Sequence, residues 1–167
     1  SWPRRQRRHA VSDRLADEVV HRIARTAGCG RRPSDTDAPV QRYLPWFRAA
    51  DAEASKQITL RHLLNQTSGF SRADGIAPLL AGSQANIEEL ARGLSSVSLN
   101  RPVGERFEYS NLNYVLLAAV LQATTGQPWS TLIQERVLRP LAMTHSHVDH
   151  DAARRDRLTA VHQIVFG

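Results

Sequence analysis

The chain has 167 residues, of which 41% are hydrophobic and 23% are charged. This length and composition are typical of about one globular domain and exclude a disordered chain. Cys29 is the only cysteine, so the sequence predicts neither an internal disulfide framework nor a multi-cysteine zinc site. No apolar run approaches the roughly 18 residues of a membrane span, and the arginine-rich start lacks the apolar core of a signal peptide.

The net charge of +6 lies entirely in the first fifth of the chain. Residues 1–34 contain nine arginines and three acidic residues, whereas residues 35–167 contain 13 basic and 13 acidic residues. The first segment allows one short helix, because apolar residues recur there at helical spacing, at Val11, Leu15, Val19 and Ile23. The sequence therefore divides into a basic segment, 1–34, and a balanced domain, 35–167.

From residue 35 onward, helix start and stop signals follow one another closely. Thr59 precedes an apolar stretch and predicts an N-capped short helix that is stopped by the Thr67-Ser68-Gly69 turn. Asn86, with Glu89 three residues later, forms a capping-box pattern that opens the next helix. These signals predict short helices joined by loops.

A turn and two more predicted helices follow. Pro102-Val103-Gly104 predicts the turn, and a strongly apolar helix extends from about Asn113 to Thr125 and stops at Gly126. Pro128 fits the first turn of the next helix, which ends near Pro140. Five residues of the apolar helix are expected to be largely buried: Val115, Leu116, Ala119, Val120 and Ala123. Strand signals are few, so this half of the chain is predicted to be helix and loop.

Four segments of the sequence stand out by their order and spacing. They are Asp37-Ala38-Pro39-Val40 with Tyr43-Leu44-Pro45, Ile58 to Leu64 leading into Thr67-Ser68-Gly69, Gly104 to Phe107 before Tyr109-Ser110-Asn111, and Pro140-Leu141-Ala142-Met143-Thr144. Together they resemble the serine β-lactamase and penicillin-binding-protein superfamily, in its class C β-lactamase, D-amino-acid peptidase and esterase branch. The resemblance implies an α/β (α+β) fold, the serine β-lactamase/transpeptidase-like fold, with helices packed against a central antiparallel sheet. Strands of that sheet are largely missing here, so residues 35–167 are expected to form a partial domain.

The Tyr109-Ser110-Asn111 segment carries the chemistry that the resemblance implies. Family members place such a Tyr-x-Asn beside the acyl-transfer site, where Tyr109 would pass protons between a nucleophilic serine and the leaving group. A phenol ionises only near about pH 10, so cationic lysines are needed nearby to make it a useful base. Asn111 would orient the lysine and the substrate amide, because its side chain both donates and accepts hydrogen bonds. The alternative interpretation is that Tyr109 and Ser110 merely cap the helix that follows; no cofactor and no metal are implied.

Two other elements of the family pattern are absent from the sequence. Lys56 is the only lysine and has Glu53 three residues before it, so the chain contains no Ser-x-x-Lys pair to supply an activated nucleophile. The Lys-Thr-Gly or His-x-Gly strand is also absent. The sequence therefore predicts an incomplete serine hydrolase that does not turn over substrate by itself.

We interpret residues 1–34 as frameshifted, which would account for their lack of the family pattern. Codons for Val11 to Arg22 can be chosen so that the next reading frame spells Phe-Arg-Ile-Gly-Ser-Leu-Thr-Lys-Ser-Phe-Thr-Ala, which contains the missing Ser-x-x-Lys. The hidden serine would lie about 22 residues before Asp37. The alternatives are a divergent N-terminus and an unrelated fused leader.

Two other segments of the sequence match patterns of different functions. His145-Ser146-His147-Val148-Asp149-His150 matches the His-x-His-x-Asp-His string of metallo-β-lactamase-fold hydrolases, whose histidines bind zinc. A predicted helix rather than a buried strand precedes the string, so its histidines are interpreted as surface residues. The basic N-terminus could bind nucleic acid or anionic lipid, but only weakly and without sequence specificity, because no groove-binding motif accompanies it.

The intact relative that the resemblance implies would act on a β-lactam, a D-amino-acid peptide or a small ester. Its partner would thus be a small-molecule or peptide substrate, and such proteins usually act outside the cytoplasm; the oligomeric state stays open. Ser68 is interpreted as a turn residue, and Trp46 and Phe47 as core anchors. Without the central strands, the apolar face between Val115 and Val120 is expected to lack a cover and to favour aggregation.

Overall fold

A computed structural model describes residues 36–74 and 86–148 of the chain. The chain divides into two compact units, Ser1–Gln127 and Pro128–Gly167. The basic segment with its predicted short helix, Cys29, and the pair Asp149 and His150 lie outside the described residues. Among the described residues, no helix is both long and apolar enough to cross a membrane.

The described part of the first unit consists of helices joined by ordered loops. Its only strand-like pairing among residues 36–74 and 86–127 is an isolated antiparallel bridge between Pro39 and Thr59. The expected mostly helical partial fold is therefore confirmed for these residues. The elements whose bounds are defined occur in this order: the turn Val40–Arg42, α1 Ala52–Gln57, α2 Leu60–Leu64, α3 Ile87–Gly93, the turn Leu94–Ser96, and α4 Asn111–Thr125. Residues 72–74 are also helical.

The first two family-like segments pair with each other. Val40 donates its backbone N–H to the Ile58 carbonyl at 2.9 Å, which places the first segment alongside the entry to α2. Arg61 on α2 then donates to both carboxylate oxygens of Asp37, at 2.6 and 3.0 Å. This bond lowers the pKa of Asp37, so the carboxylate stays charged and the two segments remain tied.

The predicted helix caps are present. The Thr59 hydroxyl accepts from the N–H of His62, and the His62 side chain accepts from the N–H of Thr59, which forms a reciprocal capping box. Asn86 and Glu89 form a second capping box at the start of α3. These side chains satisfy amide groups that the first turn of a helix cannot pair internally.

Helix α4 begins two residues earlier than the sequence predicted. Ser110 has extended backbone angles and its hydroxyl accepts from the N–H of Leu112, so the helix starts at Asn111 rather than near Asn113. The predicted stop is confirmed, because Gly126 adopts the left-handed conformation at φ 69° and donates to the Gln122 carbonyl. The first turn of α4 thus contains two asparagines, Asn111 and Asn113, on either side of the buried Leu112.

The core of the first unit is built where α4 packs against α2 and α3. Leu116 is fully buried and Ala119 and Val120 are nearly so, which corrects the expectation that this face lacks a cover. Val115 is only half-buried and Ala123 is exposed, so the buried stripe is narrower than predicted. The reason is that side chains from the preceding loops complete the core; its buried members there include Leu44, Phe47, Ile58 and Phe70. Phe47 and the partly buried Trp46 act as anchors, as predicted.

The described part of the second unit is a short helical segment. Helix α5, Trp129–Ile133, begins directly after Pro128 and continues as a wider π-helical turn, Gln134–Leu138. The predicted helix is therefore present, but only its first turns are α-helical. Leu132 and Leu138 are its buried residues, whereas Leu141 and Met143 are exposed.

We expect Leu116→Ala to lower the free energy of unfolding by about 2–5 kcal/mol, because it removes a fully buried side chain and leaves a cavity. Urea unfolding followed by tryptophan fluorescence measures this loss. Leu117→Ala is the matched control, since Leu117 is on the same helix but only half-buried. Equal losses for the two variants would contradict the placement of Leu116 in the core.

Candidate functional site

The two candidate catalytic residues meet at the entry to α4. Tyr109 lies in the loop, just before the N-cap residue Ser110, and Asn111 is the first residue of the helix. The Tyr109 hydroxyl donates to Asn111 Oδ1 at 3.0 Å. Ser110 between them is fully buried, so the short segment sends its middle residue inward while Tyr109 remains 42% exposed. The structure thus joins the two predicted side chains at a solvent-accessible corner.

The predicted capping role of this segment is also present, in Ser110. Its hydroxyl caps α4, whereas the Tyr109 side chain bonds to Asn111 and not to the helix amides. The capping interpretation therefore accounts for Ser110 but leaves the placement of the Tyr109 hydroxyl unexplained.

One aromatic ring packs against Tyr109. The ring of Tyr109 lies 6.2 Å from that of Tyr114, measured between centroids, at an interplanar angle of 52°. This tilted arrangement is favourable for two aromatic rings. Tyr114 and Phe107 are themselves 52% and 61% exposed. The Tyr109 ring is therefore supported on one side while its edge remains open to solvent.

A buried polar network lies directly behind the corner. Gln66 Oε1 accepts from the backbone N–H of Ser110 at 2.9 Å and from Asn113 Nδ2 at 2.6 Å. Asn113 Oδ1 in turn accepts from the Ser68 hydroxyl at 2.6 Å. Ser68 is therefore a structural turn residue, as interpreted from the sequence. No sequence pattern indicated Gln66, and Asn113 was predicted only as the approximate start of a helix. An asparagine within the apolar face of α4 was the one sequence feature that could have indicated a buried polar contact.

The loop before Tyr109 is hydrogen-bonded along its backbone to the turn that follows α2. Gln66 O accepts from the N–H of Glu108, Thr67 O from that of Gly104, and Gly69 O from that of Asn100, each at 2.8 Å. Gly69 has φ 92°, and a Cβ there would lie 2.4 Å from the Arg101 carbonyl oxygen, so only glycine fits this approach. The Thr67-Ser68-Gly69 turn therefore positions the loop as well as ending a helix.

Glu108 holds a fixed negative charge next to Tyr109 in the chain. Its carboxylate accepts from Arg101 Nε and from Asn100 Nδ2, both at 3.1 Å, and from the N–H of Arg72 at 3.3 Å. Burial would raise the pKa of Glu108, but these hydrogen bonds together outweigh burial and lower it. A carboxylate stabilised in this way is a poor proton acceptor.

His62 connects the cap of α2 to the predicted turn before the corner. Gly104 in that turn has φ 82°, and a Cβ there would lie 3.4 Å from His62 Nε2. Burial lowers the pKa of His62, against the opposing effects of its hydrogen bond with the Gln57 backbone and of the Asp37 carboxylate. Its Nδ1 accepts from the N–H of Thr59 at 3.2 Å, a bond that requires the neutral ring.

The remaining candidate groups form no second centre among the described residues. Lys56 pairs with Glu53 on the exposed surface of α1 at 2.6 Å. His145 and His147 lie in the second unit, and Asp149 and His150 are outside the described residues. Within residues 36–74 and 86–148, no three histidine, cysteine or acidic side chains are grouped so that they could hold a metal ion.

Comparison with known proteins identifies relatives over most of the chain. The sequence profile described as Beta-lactamase matches residues 30–165. Protein flp of Staphylococcus aureus strain N315 is 32% identical over 107 residues, which are 64% of this chain and 22% of that protein. Penicillin-binding protein 4 of Amycolatopsis lactamdurans is 27% identical over 126 residues, or 75% of this chain and 32% of that protein.

The folded structure is similar to that of solved enzymes. A D-stereospecific amidohydrolase from Streptomyces sp. has a TM-score of 0.62 and 25% sequence identity, covering 82% of this chain and 42% of that enzyme. The chain thus corresponds to about a fifth to two fifths of the length of these relatives.

We expect the chain to lose stability as the pH falls below about 6.5, the ordinary pKa of histidine. Because the folded-state pKa of His62 is lowered, the unfolded chain takes up the proton first, so His62 contributes fully above that pH and progressively less below it. Urea midpoints measured across this range give the slope. His62→Gln is the control, since glutamine can complete a capping box without titrating. An unchanged slope in His62→Gln would show that another group is responsible.

Proposed function

The chain belongs to the beta-lactamase family, and we propose that Tyr109 and Asn111 form the proton-transfer corner of a serine acyl-transfer site. The observation that carries this proposal is the 3.0 Å hydrogen bond between the Tyr109 hydroxyl and Asn111 Oδ1 at an exposed position. Both side chains were expected at such a corner from the sequence pattern. The cap of α4 is supplied by Ser110 and not by Tyr109.

The chemistry of this corner suits the breakdown of a carbonyl substrate. In acyl transfer, a serine oxygen bonds to the carbonyl carbon, the bond to the leaving group breaks, and the leaving group takes a proton. Tyr109 can deliver that proton and receive the serine proton, since a hydroxyl both donates and accepts. Asn111 fixes the direction of the Tyr109 hydroxyl and can present its own amide to the substrate.

The substrate class follows from the relatives. The Amycolatopsis relative is named as a penicillin-binding protein, and the Streptomyces structure is that of a D-stereospecific amidohydrolase. We propose that the parent activity of this chain acts on a β-lactam or a D-amino-acid peptide, which these two names support, or on a small ester, which the sequence pattern alone indicates. All three share an acyl carbonyl whose leaving group must be protonated.

The proposed site requires a nucleophile that this amino-acid sequence does not supply. The chain has no Ser-x-x-Lys, and Lys56 is paired with Glu53. A second reading frame across the codons for Val11 to Arg22 is the proposed source of the missing pair. Sequencing the encoding DNA tests this part directly; if no single-frame shift encodes Ser-x-x-Lys there, the frameshift is excluded.

We expect the 167-residue chain to form no covalent adduct with a fluorescent penicillin, because no lysine is spaced to activate any of its serines. Gel fluorescence and intact mass measure the adduct, with an active serine β-lactamase or penicillin-binding protein as the positive control. A stoichiometric acyl adduct on this chain would contradict the inactive assignment.

We expect Tyr109→Phe to lower kcat by about 10²–10⁴-fold in a chain whose reading frame has been restored and to which the absent Lys-Thr-Gly or His-x-Gly strand has been added, because the variant loses the transferring hydroxyl. Hydrolysis of a chromogenic β-lactam, a D-amino-acid anilide and a nitrophenyl ester measures the loss and identifies the substrate class. Tyr114→Phe is the matched control, since Tyr114 contacts the same ring. If Tyr109→Phe retains full turnover, Tyr109 is not the proton carrier.

A further inference from the structure

We infer that Gln66 is a positioning residue that holds Tyr109 at the corner from behind. This inference rests on the proposed function, because it assigns Gln66 a part in placing the proton-transfer hydroxyl. Gln66 does not itself touch the corner side chains in any contact described here. It acts on the backbone that carries them.

Gln66 binds the chain on both sides of Tyr109. Its backbone carbonyl accepts from the N–H of Glu108 at 2.8 Å, and its side-chain Oε1 accepts from the N–H of Ser110 at 2.9 Å. The two amides that flank Tyr109 in sequence are therefore held by one residue from a different part of the chain. Because both neighbours are fixed, the direction in which the Tyr109 side chain leaves the backbone is fixed as well.

The same oxygen also ties the loop to α4. Oε1 of Gln66 accepts from Asn113 Nδ2 at 2.6 Å, and Asn113 Oδ1 is held by the Ser68 hydroxyl at 2.6 Å. Asn113 is fully buried in the first turn of α4, the helix that begins with Asn111. One acceptor thus sets the position of the loop carrying Tyr109 relative to the helix carrying Asn111.

The conformation of Gln66 is unfavourable for its residue type. Its φ is 58°, in the left-handed region that non-glycine residues rarely adopt. Its side chain is 4% exposed, and Nε2 has no hydrogen-bond partner among the described residues. A strained residue with an unpaired buried N–H group is retained only where the surrounding structure requires it. The required feature here is the acceptor oxygen, which makes two hydrogen bonds.

Fluorine NMR of the full chain with 3-fluorotyrosine at its three tyrosines tests the inference. Tyr109→Phe identifies the Tyr109 line by its disappearance. We expect Gln66→Leu, which removes the acceptor, to move or broaden the Tyr109 line by more than its width. Gln66→Glu retains an acceptor oxygen and should restore the line to its position in the unaltered chain.

Gln41→Leu is the control, because Gln41 is a half-buried glutamine whose side chain donates to the Phe47 carbonyl at 3.0 Å. It should cost stability without moving the Tyr109 line. If folded Gln66→Leu leaves that line unchanged, or if Gln41→Leu moves it equally, Gln66 is only a structural residue and the inference is wrong.

Hydrogen exchange on the unaltered chain provides a second readout should Gln66→Leu fail to fold. The amides of Glu108 and Ser110 should exchange at least about 100-fold more slowly than in an unstructured peptide. Exchange of both amides at the unstructured rate would overturn the inference. Neither readout depends on turnover, so loss of the proton-transfer role of Tyr109 and loss of the positioning role of Gln66 are separate results.

Discussion

Two hydrogen bonds to one buried oxygen, Gln66 Oε1, hold together the part of the molecule that has chemical interest. One comes from the backbone of Ser110 and the other from the side chain of Asn113. A buried acceptor that receives two hydrogen bonds fixes the positions of both donors, because breaking either bond leaves a polar group unpaired away from water. The loop and the first turn of α4 therefore meet at a defined geometry, and Tyr109 and Asn111 project from it.

The charged groups next to the corner in sequence and on α1 are held in hydrogen bonds and ion pairs. Glu108 is held by Arg101 and Asn100, and Lys56 is paired with Glu53 on α1. A tyrosine that serves as a base needs a cation nearby, since its phenolate is otherwise too costly to form near neutral pH. In the site proposed above, Tyr109 and Asn111 would be the orienting groups, and the Ser-x-x-Lys pair that would supply the nucleophile is absent from the sequence.

Local signals predicted the helical elements well, because each depends on only a few neighbouring residues. The capping boxes at Thr59 and Asn86 and the glycine stop at Gly126 all occur where their side chains predicted them. The apolar pattern placed the start of α4 two residues late, whereas the capping interpretation of Ser110 marked the start that the structure has. The cover over Leu116 was missed because residues such as Phe47 and Phe70, distant in sequence, supply it.

The sequence by itself determined the family, the order of the helices and the identity of the two candidate catalytic residues, because these depend on residue type and spacing along the chain. Only the tertiary structure showed that Tyr109 and Asn111 are hydrogen-bonded and that Gln66, 43 residues before Tyr109, lies behind them. No local pattern marks a glutamine as an acceptor for a distant amide. That role exists only when the turn after α2 and the loop before α4 are packed together, and packing between distant segments is decided by the whole core.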